Sequence, residues 1–157
     1  MAPASRTIAQ DQSTLHLRDA VAALIVVGGG RYLLQHRDDI RGIWYPDHWG
    51  CFGGAVDPGE TADEAIAREL EEELGWCPAG LVPFTQFDFD LDPLQLGRFF
   101  RKYYAAAIEA DDIGRIRLGE GRAVRACAAD EVLCDLRLAP YDAFALYLHI
   151  RQAHLAA

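Results

Sequence analysis

The stretch Gly54–Trp76, G-A-V-D-P-G-E-T-A-D-E-A-I-A-R-E-L-E-E-E-L-G-W, decides how the rest of this chain is read. Its first half reads as a loop: Gly53 and Gly54 admit unusual backbone angles, and Pro58-Gly59 is a turn dipeptide. Its second half reads as a helix. Thr61 is a natural N-cap with Glu64 as its capping-box partner, and Gly75 is a natural stop after Leu74. At about 100° per residue, Glu69, Glu72 and Glu73 share an arc of roughly 100°, and Ile66, Ala67, Leu70 and Leu74 fill the adjoining arc. Such a helix presses one side into a core and holds a dense negative cluster beside it. Like charges this close repel by a few tenths of a kcal/mol per exposed pair, and by more when partly buried. A hard divalent cation resolves the conflict, because Mg²⁺ and Mn²⁺ prefer carboxylate oxygens. Arg68 and Glu60 have the spacing to orient those ligands, whereas Asp63, Glu64 and Glu71 point away and read as a solvated face.

The full pattern resembles the Nudix box, G-x5-E-x7-R-E-U-x-E-E-x-G-U, where U is apolar. Gly54, Glu60, Arg68, Glu69, Leu70, Glu72, Glu73 and Gly75 all match. Trp76 fills the last apolar position with an aromatic, and Phe52-Gly53-Gly54 stands where the family often has Pro-Gly-Gly; neither departure touches a ligand. The resemblance implies an α/β fold, a mixed sheet in an α/β/α sandwich. It also implies that Glu69, Glu72 and Glu73, with the Gly54 carbonyl, hold Mg²⁺, supported by Glu60 and Arg68.

The chain has 157 residues, enough for one domain with a sizeable core. We expect a polar arm over residues 1–18 and the domain over 19–157. The net charge is −9, so the surface as a whole does not attract a nucleic-acid backbone, and an anionic substrate needs local help from metal and arginine. Cys51, Cys77, Cys127 and Cys134 form no C-x-x-C pair and no zinc-like spacing with histidine, which suits reduced thiols in a cytoplasmic protein. No stretch approaches the ~20 apolar residues of a membrane span. The expected partner is a small nucleotide diphosphate rather than a nucleic-acid polymer or a membrane, and a homodimer is left open.

Along the chain, Asp19–Val27 is nearly continuous in apolar residues and reads as a buried strand, turned by Gly28-Gly29-Gly30 into a second strand, Arg31–His36. Arg37 follows; the family resemblance makes it a candidate phosphate or base contact, against pairing with Asp38 or Asp39. Trp44 and Tyr45 either stack on a nucleobase or close the core, and Trp49 reads as core. Residues 81–91 and Arg98–Ile108 read as an antiparallel pair of strands. Arg98, Arg101 and Lys102 are the densest basic group, with Arg98 a candidate substrate contact against a solvated face. The loop from Glu109 to Arg122 is where the resemblance implies a further carboxylate; Glu120 is the choice, with Glu109 and Asp112 as alternatives. A strand near 123–128, a short helical turn and a helix from Pro140 complete the chain.

The expected activity is Mg²⁺-dependent hydrolysis of a nucleoside diphosphate linked to another group, with Glu73, Glu69 or Glu120 as the proton acceptor. A nucleoside triphosphate, intact or oxidised, is the first substrate; ADP-ribose or another nucleotide sugar is the second, hinted at by Pro93. Two other classes are a catalytically silent nucleotide-binding domain, and an isoprenoid diphosphate isomerase using Cys51.

Overall fold

A computed structural model describes residues 17–155. Residues 1–16 of the expected arm lie outside that range, while Leu17 and Arg18 lie within it and line the central cleft. β1 (Ala20–Val27) and β2 (Arg31–His36) form the expected antiparallel hairpin. β4 (Val82–Asp90) and β5 (Arg98–Ile108) form another, and β5 runs parallel to β1 from Ala20 opposite Arg101 to Val27 opposite Ile108. β3 (Trp49–Gly50) and β6 (Ala123–Cys127) both pair antiparallel with β2. The six strands make one mixed sheet, with the path β3-β2-β1-β5-β4 and β6 on β2.

The sheet opens where β1 and β2 diverge. Near the hairpin turn, Ile25–Val27 pair with β2. Farther along, the Val21 and Ala23 N–H groups donate instead to the carbonyls of Gly54 and Phe52, at 2.9 and 2.8 Å. There β2 takes up β3 at Gln35 and His36. The segment 49–55 is thus wedged between the two strands and carries the glycine pair into the middle of the sheet.

Side chains on β1 alternate between faces. Val21, Ala23, Ile25 and Val27 pack with Ile66, Leu70 and Leu74 of α1 (Ala62–Leu74). Ala22 and Leu24 pack with Val132 of α2 (Ala129–Cys134) and with Ala145, Leu146 and Ile150 of α3 (Pro140–Leu155). A strand covered on both faces has no polar side, which is why its sequence is an unbroken apolar run. The architecture is the expected single-domain α/β/α sandwich.

α1 is closed at both ends as its sequence dictates. Thr61 Oγ1 accepts from the Glu64 N–H at 3.2 Å, Glu64 Oε2 accepts from the Thr61 N–H at 2.8 Å, and Gly75 ends the helix in the left-handed region. Its buried face, however, comprises Ala65, Ile66, Leu70, Glu73 and Leu74, with Ala67 only half-buried. Ala65 lies about 40° behind Glu69 on the wheel. The buried arc therefore runs through the carboxylates instead of beside them, because the wedged segment packs there. Asp63 lies on the expected solvated face, its side chain 73% exposed, and from there accepts from Lys102 Nζ at 3.2 Å and from the Tyr104 hydroxyl, tying α1 to β5. All four cysteines are free, and among the described residues no helix is long and apolar enough to cross a membrane.

Candidate active site

Glu73 lies at the inner end of the site, only 4% exposed. Its Oε2 accepts from the Gly53 N–H at 2.7 Å and its Oε1 lies 3.5 Å from Gln35 Nε2. A Cβ on Gly53 would lie 2.2 Å from the Val21 carbonyl oxygen, and its φ is 137°, so only glycine brings this N–H to the helix. Burial pushes the Glu73 carboxyl up to about 8, against the pull of the Gly53 N–H; the charges of Glu69 and Glu120 push the same way as burial. Among the described residues no cationic side chain pairs with it.

Glu69 packs on Gly54 so closely that a Cβ there would meet its Oε1 at 2.5 Å. Burial raises the Glu69 carboxyl as well, opposed by Arg68 and reinforced by Glu72 and Glu120. Arg68 binds Glu60 through Nε and Nη2, both at 2.9 Å, and reaches Glu69 at 2.8 Å and Glu72 at 3.3 Å through Nη1. Nη2 also donates to the Ala55 carbonyl at 3.0 Å. One forked guanidinium thus fixes three carboxylates and the loop backbone. Glu72 is the exposed member, its side chain 59% accessible.

Glu120 reaches the cluster because its loop seats on the end of α1. The Gly119 N–H donates to the Glu73 carbonyl at 3.0 Å and the Arg117 N–H to the Leu74 carbonyl at 2.9 Å, satisfying carbonyls a helix end leaves open. A Cβ on Gly119 would come within 2.0 Å of the Glu72 carbonyl oxygen. Gln35 Nε2 holds the Glu120 carbonyl at 3.0 Å. Glu109 and Asp112 instead cap the 3₁₀ turn Ala110–Arg115, where Asp112 pairs with Arg115.

Among the described residues no group of three or more His, Cys, Asp or Glu side chains is already closed around a metal position. The donors still fit a hard cation. They are oxygens only, two of them are raised by burial and mutual repulsion, and the buried one has no cation of its own. Glu69, Glu72 and Glu73 are the side chains that could hold it. The Gly54 carbonyl accepts from Val21 and keeps a second lone pair for the same purpose.

Beside the glycines opens a cleft of about 960 Å³, walled by Arg37, Trp44, Tyr45, Phe87, Arg101 and Tyr141. Arg37 donates through Nε to the Trp44 carbonyl at 3.0 Å and is not paired with Asp38 or Asp39. Trp49 stacks on His36 at 4.6 Å and joins the α3-side core, as its sequence setting suggests. Arg98 must be moved out of the site: it lies 71% exposed at the start of β5, paired with Asp90 and Asp92, because Asp90 faces it across the hairpin. The residue that does reach the cleft is Arg101. Gln35 and Asp142 are buried at the site as well: a glutamine inside an apolar strand marks the first in the sequence, and nothing local marks the second. Cys51 is buried and its thiol is pushed well up by burial, the opposite of a reactive cysteine.

The carboxylate-bearing helix on an opened mixed sheet defines a Nudix fold, and the NUDIX domain profile matches residues 16–148: the chain belongs to the NUDIX family. A 51-residue stretch is 45% identical to the nucleoside triphosphatase NudI of Escherichia coli O1:K1, spanning 32% of this chain and 36% of that protein. The match thus covers little more than a third of that relative's length. The structure is similar to a MutT NUDIX hydrolase from Burkholderia pseudomallei, at 27% identity and TM-score 0.65 over 83% of this chain and 95% of that one. A MutT protein from Methanosarcina mazei Go1 shares the fold at 24% identity and TM-score 0.66, over 87% and 94% of the two chains.

Proposed function

We propose that this protein is a divalent-cation-dependent pyrophosphohydrolase cleaving a phosphoric anhydride in a nucleoside diphosphate linked to another group. The favoured substrate is a nucleoside triphosphate, intact or carrying an oxidised purine, giving the monophosphate and pyrophosphate. The observation that carries this reading is Glu73: a carboxylate buried to 4% exposure, anchored on the Gly53 N–H, with no cation beside it. Similarity to a nucleoside triphosphatase and to a MutT NUDIX hydrolase supports the substrate class.

Bound Mg²⁺, with Mn²⁺ as a substitute, would neutralise the diphosphate and acidify a water. Glu69, Glu72, Glu73 and the Gly54 carbonyl would hold it. Arg68 and Glu60 keep those ligands in register, and Gln35 and the Gly53 N–H orient Glu73. Arg37, which has no ion-pair partner among the described residues, binds phosphate, and Trp44 and Tyr45 cover the base. The proton goes to whichever of Glu120, Glu69 and Glu73 is not ligating when water attacks.

The test is product analysis over a panel of nucleotides with and without Mg²⁺. Pyrophosphate from a triphosphate supports the proposal; two monophosphates from a nucleotide sugar move it to the second substrate class. Pro93, the hint for that class, sits exposed in a 3₁₀ turn outside the cleft. Tight nucleotide binding with no turnover in Mg²⁺ would make the protein a silent binding domain.

A further inference from the structure

Two arginines face the same cleft in opposite electrostatic states. Arg37 has no ion-pair partner among the described residues. Arg101 is fully committed: its Nη2 lies 3.0 Å from Asp142 Oδ1, its Nε donates to the Tyr103 hydroxyl at 2.9 Å, and the Tyr141 ring lies 4.1 Å from its guanidinium carbon. Asp142 is 0% exposed and, among the described residues, has no other cation, so its charge cancels that of Arg101. The side chain of Arg101 is 12% exposed, and that remainder opens on the cleft.

A guanidinium whose charge is cancelled is a poor phosphate binder, since phosphate affinity comes mainly from charge. It remains a rigid set of N–H donors with no acceptor. Locked by a tyrosine, a ring face and a carboxylate, it cannot turn to suit different partners. We propose that Arg101 is the specificity-determining residue of this cleft, donating hydrogen bonds to a keto oxygen of the substrate's base. Keto bases are therefore bound in preference to their amino counterparts. An amino group in that position would set donor against donor and leave both unpaired, the situation in which polar discrimination is strongest. Asp142 is the positioning residue: it fixes the guanidinium plane and cancels the charge. This proposal rests on the cleft being a nucleotide site.

The test compares pairs that differ at one exocyclic position: inosine with adenosine monophosphate, and uridine with cytidine monophosphate. Each is titrated into the full chain by calorimetry, with Mg²⁺ present. We expect the keto member of each pair to bind at least about tenfold tighter. The double variant Arg101→Met/Asp142→Asn, which removes both charges together, should bind the two members equally while its melting curve stays cooperative. Equal binding by the unaltered protein, or no binding of any of the four, overturns the proposal, as does a preference that survives in the folded double variant. Cleavage of the four corresponding triphosphates is followed separately. Turnover without keto preference defeats the role of Arg101 and leaves the hydrolase standing; keto-selective binding without turnover defeats the hydrolase and leaves Arg101 its role.

Discussion

Two buried carboxylates grip the same short segment from opposite faces of the sheet. Glu73 on α1 accepts the Gly53 N–H at 2.7 Å; Asp142 on α3 accepts the Cys51 N–H at 2.9 Å. Asp142 comes with its cation, Arg101, and a tyrosine hydroxyl at 2.9 Å. Glu73 comes with a glutamine and two neighbouring negative charges. Identical chemistry at the backbone therefore has opposite electrostatic endings. A buried charge with a good partner is structure, and a buried charge without one is a place where something else belongs.

The largest expected effect breaks this contrast on the α1 side. Glu73→Gln should lower Mg²⁺-dependent turnover by about 10³-fold, the scale of several kcal/mol of lost charge stabilisation. In chelator it should melt no lower than the parent, because a neutral amide replaces a carboxylate that burial disfavours. Near-full turnover in a nucleotide assay would remove Glu73 from the mechanism.

On the α3 side the order reverses. Asp142→Ala leaves Arg101 buried without its anion and should cost about 3–5 kcal/mol of stability. Urea unfolding measures this; a loss under about 1 kcal/mol would mean that the pair is not a structural anchor.

The pH response sharpens the same difference. Glu73 titrates near 4.5 unfolded and near 8 in the fold, so its native state favours the proton. Its contribution to cation-free stability is complete below pH 4.5 and is lost as pH rises through 8. From pH 6 to 8.5 in chelator the parent should lose roughly 2 kcal/mol that Glu73→Gln keeps. Denaturant titrations at the two pH values decide it, and a parent that gains stability over that interval would contradict the assignment.

The smallest expected effect is at Arg98. Its pairs with Asp90 and Asp92 are exposed, so Arg98→Ala should change stability by less than about 1 kcal/mol and leave substrate KM unaltered. A raised KM would return Arg98 to the cleft.

Local patterns made most of the architecture legible. The capping box at Thr61, the stop at Gly75, the apolar run of β1 and the spacing of Glu60, Arg68, Glu69, Glu72 and Glu73 all state their structure within a few residues. What could not be read was set by pairing across long separations. Arg98 and Arg101 are equivalent in composition; only the register of β5 against β4 and β1 sends one to solvent and the other to the cleft. Asp142 sits in the first turn of α3, where an acid is unremarkable, and its task lies 91 positions earlier, at Cys51. Ala65 rather than Ala67 is buried because the wedge at 49–55 settles on that side of α1, a contact no helical wheel contains.

The wedge has a consequence for how the chain is made. A ribosome that has released α1 has already supplied the helix that takes up Gly53, but β5, whose pairing completes β1, follows later, and Asp142 later still. Closing such long loops is entropically costly and slow. The glutamate-bearing half of the molecule is thus synthesised well before the helix that seals its reverse side. A nascent chain halted short of residue 140 would carry every glutamate of the box on a six-stranded sheet whose reverse face still lacks α3.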